Sequence, residues 1–168
     1  MTVLSDYEYE YGIDRRLINA SNARVVSMSI DAKRFDGVDK QVSENKRKEF
    51  GIPEDAFVVG TVGRIALQKD PETFVMVAAD LKSKISNIYF LWVGDGDLRE
   101  MMIRLAKDLG VDDRLVITGR QESRSIPDLL SAMDIFLFTS KFEGLPISIL
   151  EAMASKRPTI VSSDTGAA

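Results

Sequence analysis

Three short segments of this 168-residue chain carry side chains whose types and spacing could do chemistry. In the first, Gly63-Arg64 is followed by Lys69 and then by Asp70-Pro71-Glu72, which reads as a helix start with an N-cap, a proline at N1 and a first-turn acid. Two cations beside a helix N-terminus suit a diphosphate. Backbone N–H groups and the helix dipole favour an anion there, arginine can grip phosphate oxygens in bidentate fashion, and lysine adds a point charge. Two solvated cations on a loop would show the same spacing, so the segment alone leaves both readings open.

The second segment, Phe142-Glu143-Gly144-Leu145-Pro146-Ile147-Ser148-Ile149-Leu150-Glu151, places two carboxylates eight positions apart. Continued as helix, that spacing is about 12 Å along the axis and about 80° around it, so the pair could read opposite ends of one elongated ligand. A carboxylate accepts hydrogen bonds from vicinal sugar hydroxyls, and exposed amides around Gly144 to Ile147 could hold a phosphate between them. A surface acid and a helix-facing acid without a common task would look alike. The third segment is Gly94-Asp95-Gly96-Asp97. It fails as a dinucleotide fingerprint, because Arg99 stands where the third glycine belongs. Asp95 and Asp97 could hold Mg²⁺, but Asp97 directly precedes Leu98, where a helix needs its N-cap. A turn plus a cap is the expectation, and no metal site is expected.

Composition narrows the chemistry further. The chain has no Cys and no His, which removes disulfides, thiolate nucleophiles, Cys-ligated metal sites and the commonest proton carrier near neutral pH. A net charge of −4 makes nucleic acid a poor partner, so any anion site must be local. The apolar runs Phe74–Ala79 and Ile88–Val93 are far shorter than a membrane span needs, and residues 1–20 lack the basic and apolar regions of an export signal. The expected location is cytoplasmic.

The elements that must position these residues follow from periodicity. From residue 57 onward, short runs that are apolar throughout, Phe57–Val62, Ile88–Val93, Leu115–Thr118, Ile135–Phe138 and Pro158–Val161, read as strands covered on both faces. Between them lie amphipathic helices. Phe74, Val77, Ala78 and Leu81 form one stripe, and Leu98, Met101, Met102, Leu105, Ala106 and Leu109 form a second that ends at Gly110. Ile126, Leu129, Leu130 and Met133 form a third. The alternation predicts an α/β fold, a doubly wound parallel sheet of the Rossmann-like kind whose ligands bind beyond the carboxyl ends of its strands. Residues 1–50 read differently, as a helix, a short strand at Val25–Ile30 and a polar linker over 36–49, so the expected division is 1–50 and 51–168. The fifth strand is followed only by Ser162 to Ala168, which leaves its outer face without a covering helix, and the chain is expected to be cut at both ends.

These blocks, taken in order, resemble the retaining nucleotide-sugar glycosyltransferases of family 4, the group 1 type, and within them the C-terminal, donor-binding domain of the two-domain GT-B fold. The matching blocks are Gly63-Arg64 with Gln68-Lys69-Asp70-Pro71, Val93-Gly94-Asp95-Gly96 with Leu98-Arg99, Gly119-Arg120, Glu143-Gly144-Leu145-Pro146 through Glu151-Ala152-Met153-Ala154, and Ser163-Asp164. The likeness is strong over 51–168 and fainter at Ser5-Asp6-Tyr7 and at Ile30-Asp31 with Phe35, which resemble the junction with an acceptor domain. Met28-Ser29 replaces the usual Asn-Gly before Ile30-Asp31, and Ala167 replaces a usual glycine.

The resemblance implies that Arg64 and Lys69 hold the donor diphosphate, with Gly63 and Gly94 in the turns around it. It implies that Glu143 contacts the transferred sugar beside Gly144, Leu145 and Pro146, that Glu151 contacts the ribose hydroxyls, and that Arg120 borders the base. The implied activity is transfer of a sugar from a nucleoside diphosphate sugar, expected to be a UDP-sugar, to an acceptor hydroxyl in polysaccharide or glycolipid assembly. The donor is then a substrate and no cofactor is needed, since fixed cations do the neutralising that Mg²⁺ does elsewhere. The implied partners are the nucleotide-sugar and a missing N-terminal acceptor domain, with peripheral membrane association through the full-length protein, and the isolated fragment is expected to be inactive. Fold alone also admits a sugar-nucleotide epimerase or a non-catalytic nucleotide-binding module.

Overall fold

A computed structural model describes residues 1–144 and 146–163. In chain order the elements are β1 (Thr2–Val3), α1 (Asp6–Asp14), β2 (Arg24–Val25), a 3₁₀ turn at Ala32–Phe35, α2 (Lys40–Glu49), β3 (Phe57–Val62), a 3₁₀ turn at Leu67–Lys69, α3 (Pro71–Lys84), β4 (Ile88–Val93), α4 (Arg99–Asp108), β5 (Leu115–Ile117), a 3₁₀ turn at Ser123–Ser125, α5 (Ile126–Ser131), β6 (Ile135–Phe138), α6 (Ile147–Ala154) and β7 (Thr159–Val161). All five strands expected beyond residue 57 are present, two of them a residue shorter.

They form one parallel sheet in the order β5-β4-β3-β6-β7. The chain winds outward from β3 through β4 to β5, then returns to pair β6 with the other side of β3. The sheet is therefore doubly wound, and the loops after β3 and β6 diverge from its centre, the point at which such sheets bind ligands. Strand side chains alternate between two cores, which explains why the runs are apolar throughout. Val59, Phe90, Trp92 and Leu137 pack with α3 and α4, while Val58, Leu91, Val93, Phe136 and Phe138 pack with α5 and α6.

Two expectations need correction. The polar stretch read as a linker over 36–49 is helical over Lys40–Glu49, opened by Asp39, whose Oδ1 accepts from Gln41 N at 3.1 Å. No apolar stripe announces α2, because Arg47 anchors it with hydrogen bonds. The guanidinium donates to the carbonyls of Ala132, Glu54 and Ala56 at 2.9–3.1 Å and to Asp134 Oδ2 at 3.0 Å. The strand expected at Val25–Ile30 shrinks to Arg24–Val25, which pairs in parallel with Thr2–Val3.

Candidate functional site

The turn after β3 is pinned on both sides of Arg64. Gly63 N donates to Val93 O at 3.0 Å and Gly63 O accepts from the Trp92 indole at 2.9 Å, while Ile65 N donates to Asp95 O at 2.9 Å. Ile65 is wholly buried and its carbonyl accepts from Leu98 N at 3.1 Å. The turns after β3 and β4 are thereby stitched into one floor, and Arg64 projects from a rigid base. Gly94 is required for this contact: its φ is +145°, and a Cβ there would strike the Gly63 carbonyl.

Above the floor lies a cavity of about 460 Å³ at the carboxyl ends of β3, β4 and β5. Gly63, Arg64, Gly94, Asp95, Gly96, Arg120, Gln121 and Ile126 line it. Arg64 and Arg120 are both exposed, and among the described residues neither has a hydrogen-bond or ion-pair partner. Two unneutralised guanidinium groups around one cavity can bind an anion with two or more charged oxygens.

Lys69 and Glu143 bridge the point where the sheet reverses direction. Lys69 Nζ meets Glu143 Oε1 at 2.6 Å, with side chains 18% and 9% exposed, and the ammonium lies 4.9 Å from the centre of the Phe138 ring. Other bonds hold the two loops in register. Thr139 Oγ1 donates to Lys69 O at 2.9 Å, Lys141 N donates to Gln68 O at 2.8 Å, and Gln68 Nε2 donates to Phe142 O at 3.1 Å. The Lys69 stem also packs on Gly63, where a Cβ would stand 3.3 Å from Cε, so the pair borders the cavity floor.

Asp70 caps α3 as expected, its carboxylate accepting from Thr73 N and, at 2.8 Å, from Thr73 Oγ1. Asp97 does not cap α4. Leu98, one residue later, takes the cap position without a side-chain bond, Arg99 N donates to Gly96 O at 3.1 Å, and the Asp97 carboxylate is exposed and accepts no hydrogen bond among the described residues. The short-range turn belongs to Asp95, whose Oδ1 accepts from Gly96 N at 2.8 Å. Among the described residues no three carboxylates converge on a metal-sized space.

Glu151 sits inside α6, half-buried, and desolvation raises its carboxyl above the usual range while Arg34 nearby pulls in the opposite direction. Pro146 occupies the N-cap position of α6 without a side-chain cap. Leu145 and the segment from Asp164 to Ala168 lie outside the described residues. The structure thus gathers Gly63, Arg64, Gly94 and Arg120 around one cavity and sets the Lys69–Glu143 pair beside it. Glu143 and Glu151 fall on a loop and a helix, not on one helical face. Asp95, weighed in the sequence only as a metal ligand or turn residue, lines the cavity; Gln121 at the cavity and Glu8 of α1 against Gly144 were not singled out by sequence reasoning, and Glu8 gave no signal beyond its place in the first turn of a helix.

The sheet and its turns thus define an α/β protein in which two arginines, without partners among the described residues, line a cavity beyond the strand ends, with a Lys–Glu pair beside it. Comparison with known proteins gives the family: the model of glycosyl transferases group 1 matches residues 42–168, and the chain belongs to that family. A 2-deoxystreptamine glucosyltransferase of Streptomyces kanamyceticus is 35% identical over 150 residues, covering 89% of this chain and 37% of the relative. An Escherichia coli UDP-Gal:alpha-D-GlcNAc-diphosphoundecaprenol alpha-1,3-galactosyltransferase is 30% identical over 167 residues, covering 97% of this chain and 42% of the relative. The chain therefore spans about two fifths of the length of these curated relatives. Among solved structures, Anabaena HepE in complex with UDP and glucose superposes with a TM-score of 0.81 at 20% identity, over 98% of this chain and 44% of HepE, which shows the same GT-B fold.

Proposed function

We propose that this chain is the C-terminal, donor-binding half of a retaining glycosyltransferase of family 4, which transfers a sugar from a nucleoside diphosphate sugar to an acceptor hydroxyl in glycan assembly. The observation that carries the reading is the pair of unneutralised guanidinium groups, Arg64 and Arg120, facing one cavity beside the Lys69–Glu143 pair. A diphosphate supplies the charge that Arg64 lacks, with Lys69 beside it as the second cation. Arg64 and Lys69 take its oxygens, Glu143 accepts from hydroxyls of the transferred sugar, Glu151 accepts from the ribose, and Arg120 borders the base. UDP is the favoured nucleotide, in keeping with the UDP bound in HepE and the UDP-Gal donor of the E. coli relative.

In this reading the protein mainly stabilises charge that develops on the departing diphosphate, through cations already in place, and the donor is a substrate that needs no further cofactor. Lys69 keeps Glu143 Oε1 while its remaining N–H groups reach the phosphate, and Glu143 Oε2 accepts from the sugar. Acceptor groups belong to the part of the relatives' length that this chain does not cover. The test is a thermal-shift series with UDP, GDP, ADP and CMP. Ligand at 100 times its Kd adds about 2.7 kcal/mol, a shift of several degrees at roughly 2–4 °C per kcal/mol. UDP is expected to give the largest shift, unaffected by EDTA, and no shift with any nucleotide would refute the donor-site reading.

A further inference from the structure

Glu8 belongs to none of the motifs above, yet its carboxylate reaches Gly144, the neighbour of Glu143. At the start of α1, Ser5 Oγ accepts from Glu8 N at 3.1 Å, and Glu8 Oε2 reaches back past the cap residue to accept from Leu4 N at 2.8 Å. The second oxygen, Oε1, faces away from this cap and lies over Gly144, so close that a Cβ on Gly144 would collide with it. Glycine at 144 is what admits the carboxylate. Next to it, Glu143 is already neutralised by Lys69. Glu8 has no ion-pair partner among the described residues, so the loop carries one unbalanced negative charge at this point.

Resting on the reading that Glu143 contacts the donor's sugar, we propose that Glu8 is a second carboxylate at the sugar end of the site, selecting donors with a neutral sugar over donors whose sugar carries an acid group. Hydroxyls donate to a carboxylate, and an amide or hydroxyl substituent meets no penalty beside it. A uronate would bring like charge into a half-buried place where solvent screens little. The bond to Leu4 N does not by itself call for this charge, because a glutamine amide oxygen can accept from the same N–H.

Calorimetric titration of this chain with UDP, UDP-glucose and UDP-glucuronate tests the inference. The parent is expected to bind UDP-glucose about tenfold or more tightly than UDP-glucuronate, as like-charge exclusion at close range requires. Glu8→Gln, which keeps an acceptor for Leu4 N, should bring the two sugars to within about threefold while leaving UDP itself unchanged. Glu10→Gln, on the same helix and exposed, should keep the parent's ratio. If UDP binds but Glu8→Gln discriminates as the parent does, or the parent does not discriminate, the role of Glu8 is overturned. If UDP fails to bind, the donor-site reading falls, and the inference that rests on it falls too.

Discussion

Lys69 and Glu143 are each partly desolvated and each satisfied by the other, so removing either leaves a charge with neither water nor partner in full. Lys69→Ala and Glu143→Gln should each cost about 1–3 kcal/mol in chemical denaturation, with a double variant losing less than the sum of the two. Strict additivity would show that the pair does not couple. The ligand effects should separate: Lys69→Ala weakens UDP, whereas Glu143→Gln weakens UDP-sugar more than UDP. Glu151 behaves differently, because burial raises its carboxyl and Arg34 opposes that rise. An acid with a raised folded value holds its proton longer in the folded state, so stability is present below the ordinary carboxylate range and falls as pH rises through the raised value. Glu151→Gln cannot ionise. Its melting temperature should exceed the parent's at pH 7, and the difference should vanish by about pH 4. A difference unchanged at low pH would assign it to packing. The same variant should lose affinity for UDP, a conflict between stability and binding that suits a ligand-facing acid.

At the scale of elements, caps distinguish the two aspartates that the sequence makes look alike. Asp70 holds Thr73 through two bonds, so Asp70→Ala should cost about 1 kcal/mol, whereas Asp97→Ala should change stability by no more than about 0.5 kcal/mol. Circular dichroism melts of the two variants decide between them. Helix α2 is held chiefly by Arg47, with Ser43 Oγ donating to Ser131 O at 2.8 Å as a second tie. Arg47→Ala would strand three carbonyls and Asp134, with an expected loss of about 3 kcal/mol, while Lys48→Ala on the same helix should be near neutral. These cases also mark what sequence can show. The strands from Phe57 to Val161 are legible because burial on both faces leaves unbroken apolar runs, and α3 is legible because Asp70-Pro71 states its start. Helix α2 is not legible, since hydrogen bonds from an arginine leave no period. The cap of α4 is misread because the helix starts one residue later than the sequence suggests, with Leu98 at the cap position and Arg99 N already donating to Gly96 O. The candidate site was legible as Arg64, Lys69 and Glu143, but their pairing, and the approach of Glu8 to Gly144, depend on which loops the sheet order brings together.

For the whole molecule, the order β5-β4-β3-β6-β7 is the governing fact, since it sets the loops after β3 and β6 face to face and aligns those after β3, β4 and β5 along one edge. Apart from Glu8 of α1, every residue assigned to the diphosphate or sugar lies on those loops or at the start of α6, which is why positions as far apart as Arg64 and Glu143 can serve one ligand. The central claim is that Arg64 and Lys69 clamp a diphosphate. It is tested most directly by calorimetric titration of UDP and uridine into the parent chain, Arg64→Ala, Lys69→Ala and Lys84→Ala, the last an exposed cation at the far end of α3 paired with Asp80. Losing a charge-assisted phosphate contact should weaken UDP by about tenfold or more in the first two variants, leave uridine unchanged, and reduce the salt dependence of UDP binding. Lys84→Ala should match the parent. If Lys84→Ala weakens UDP as much as Lys69→Ala and Arg64→Ala do, the effect is general surface charge and the clamp is contradicted.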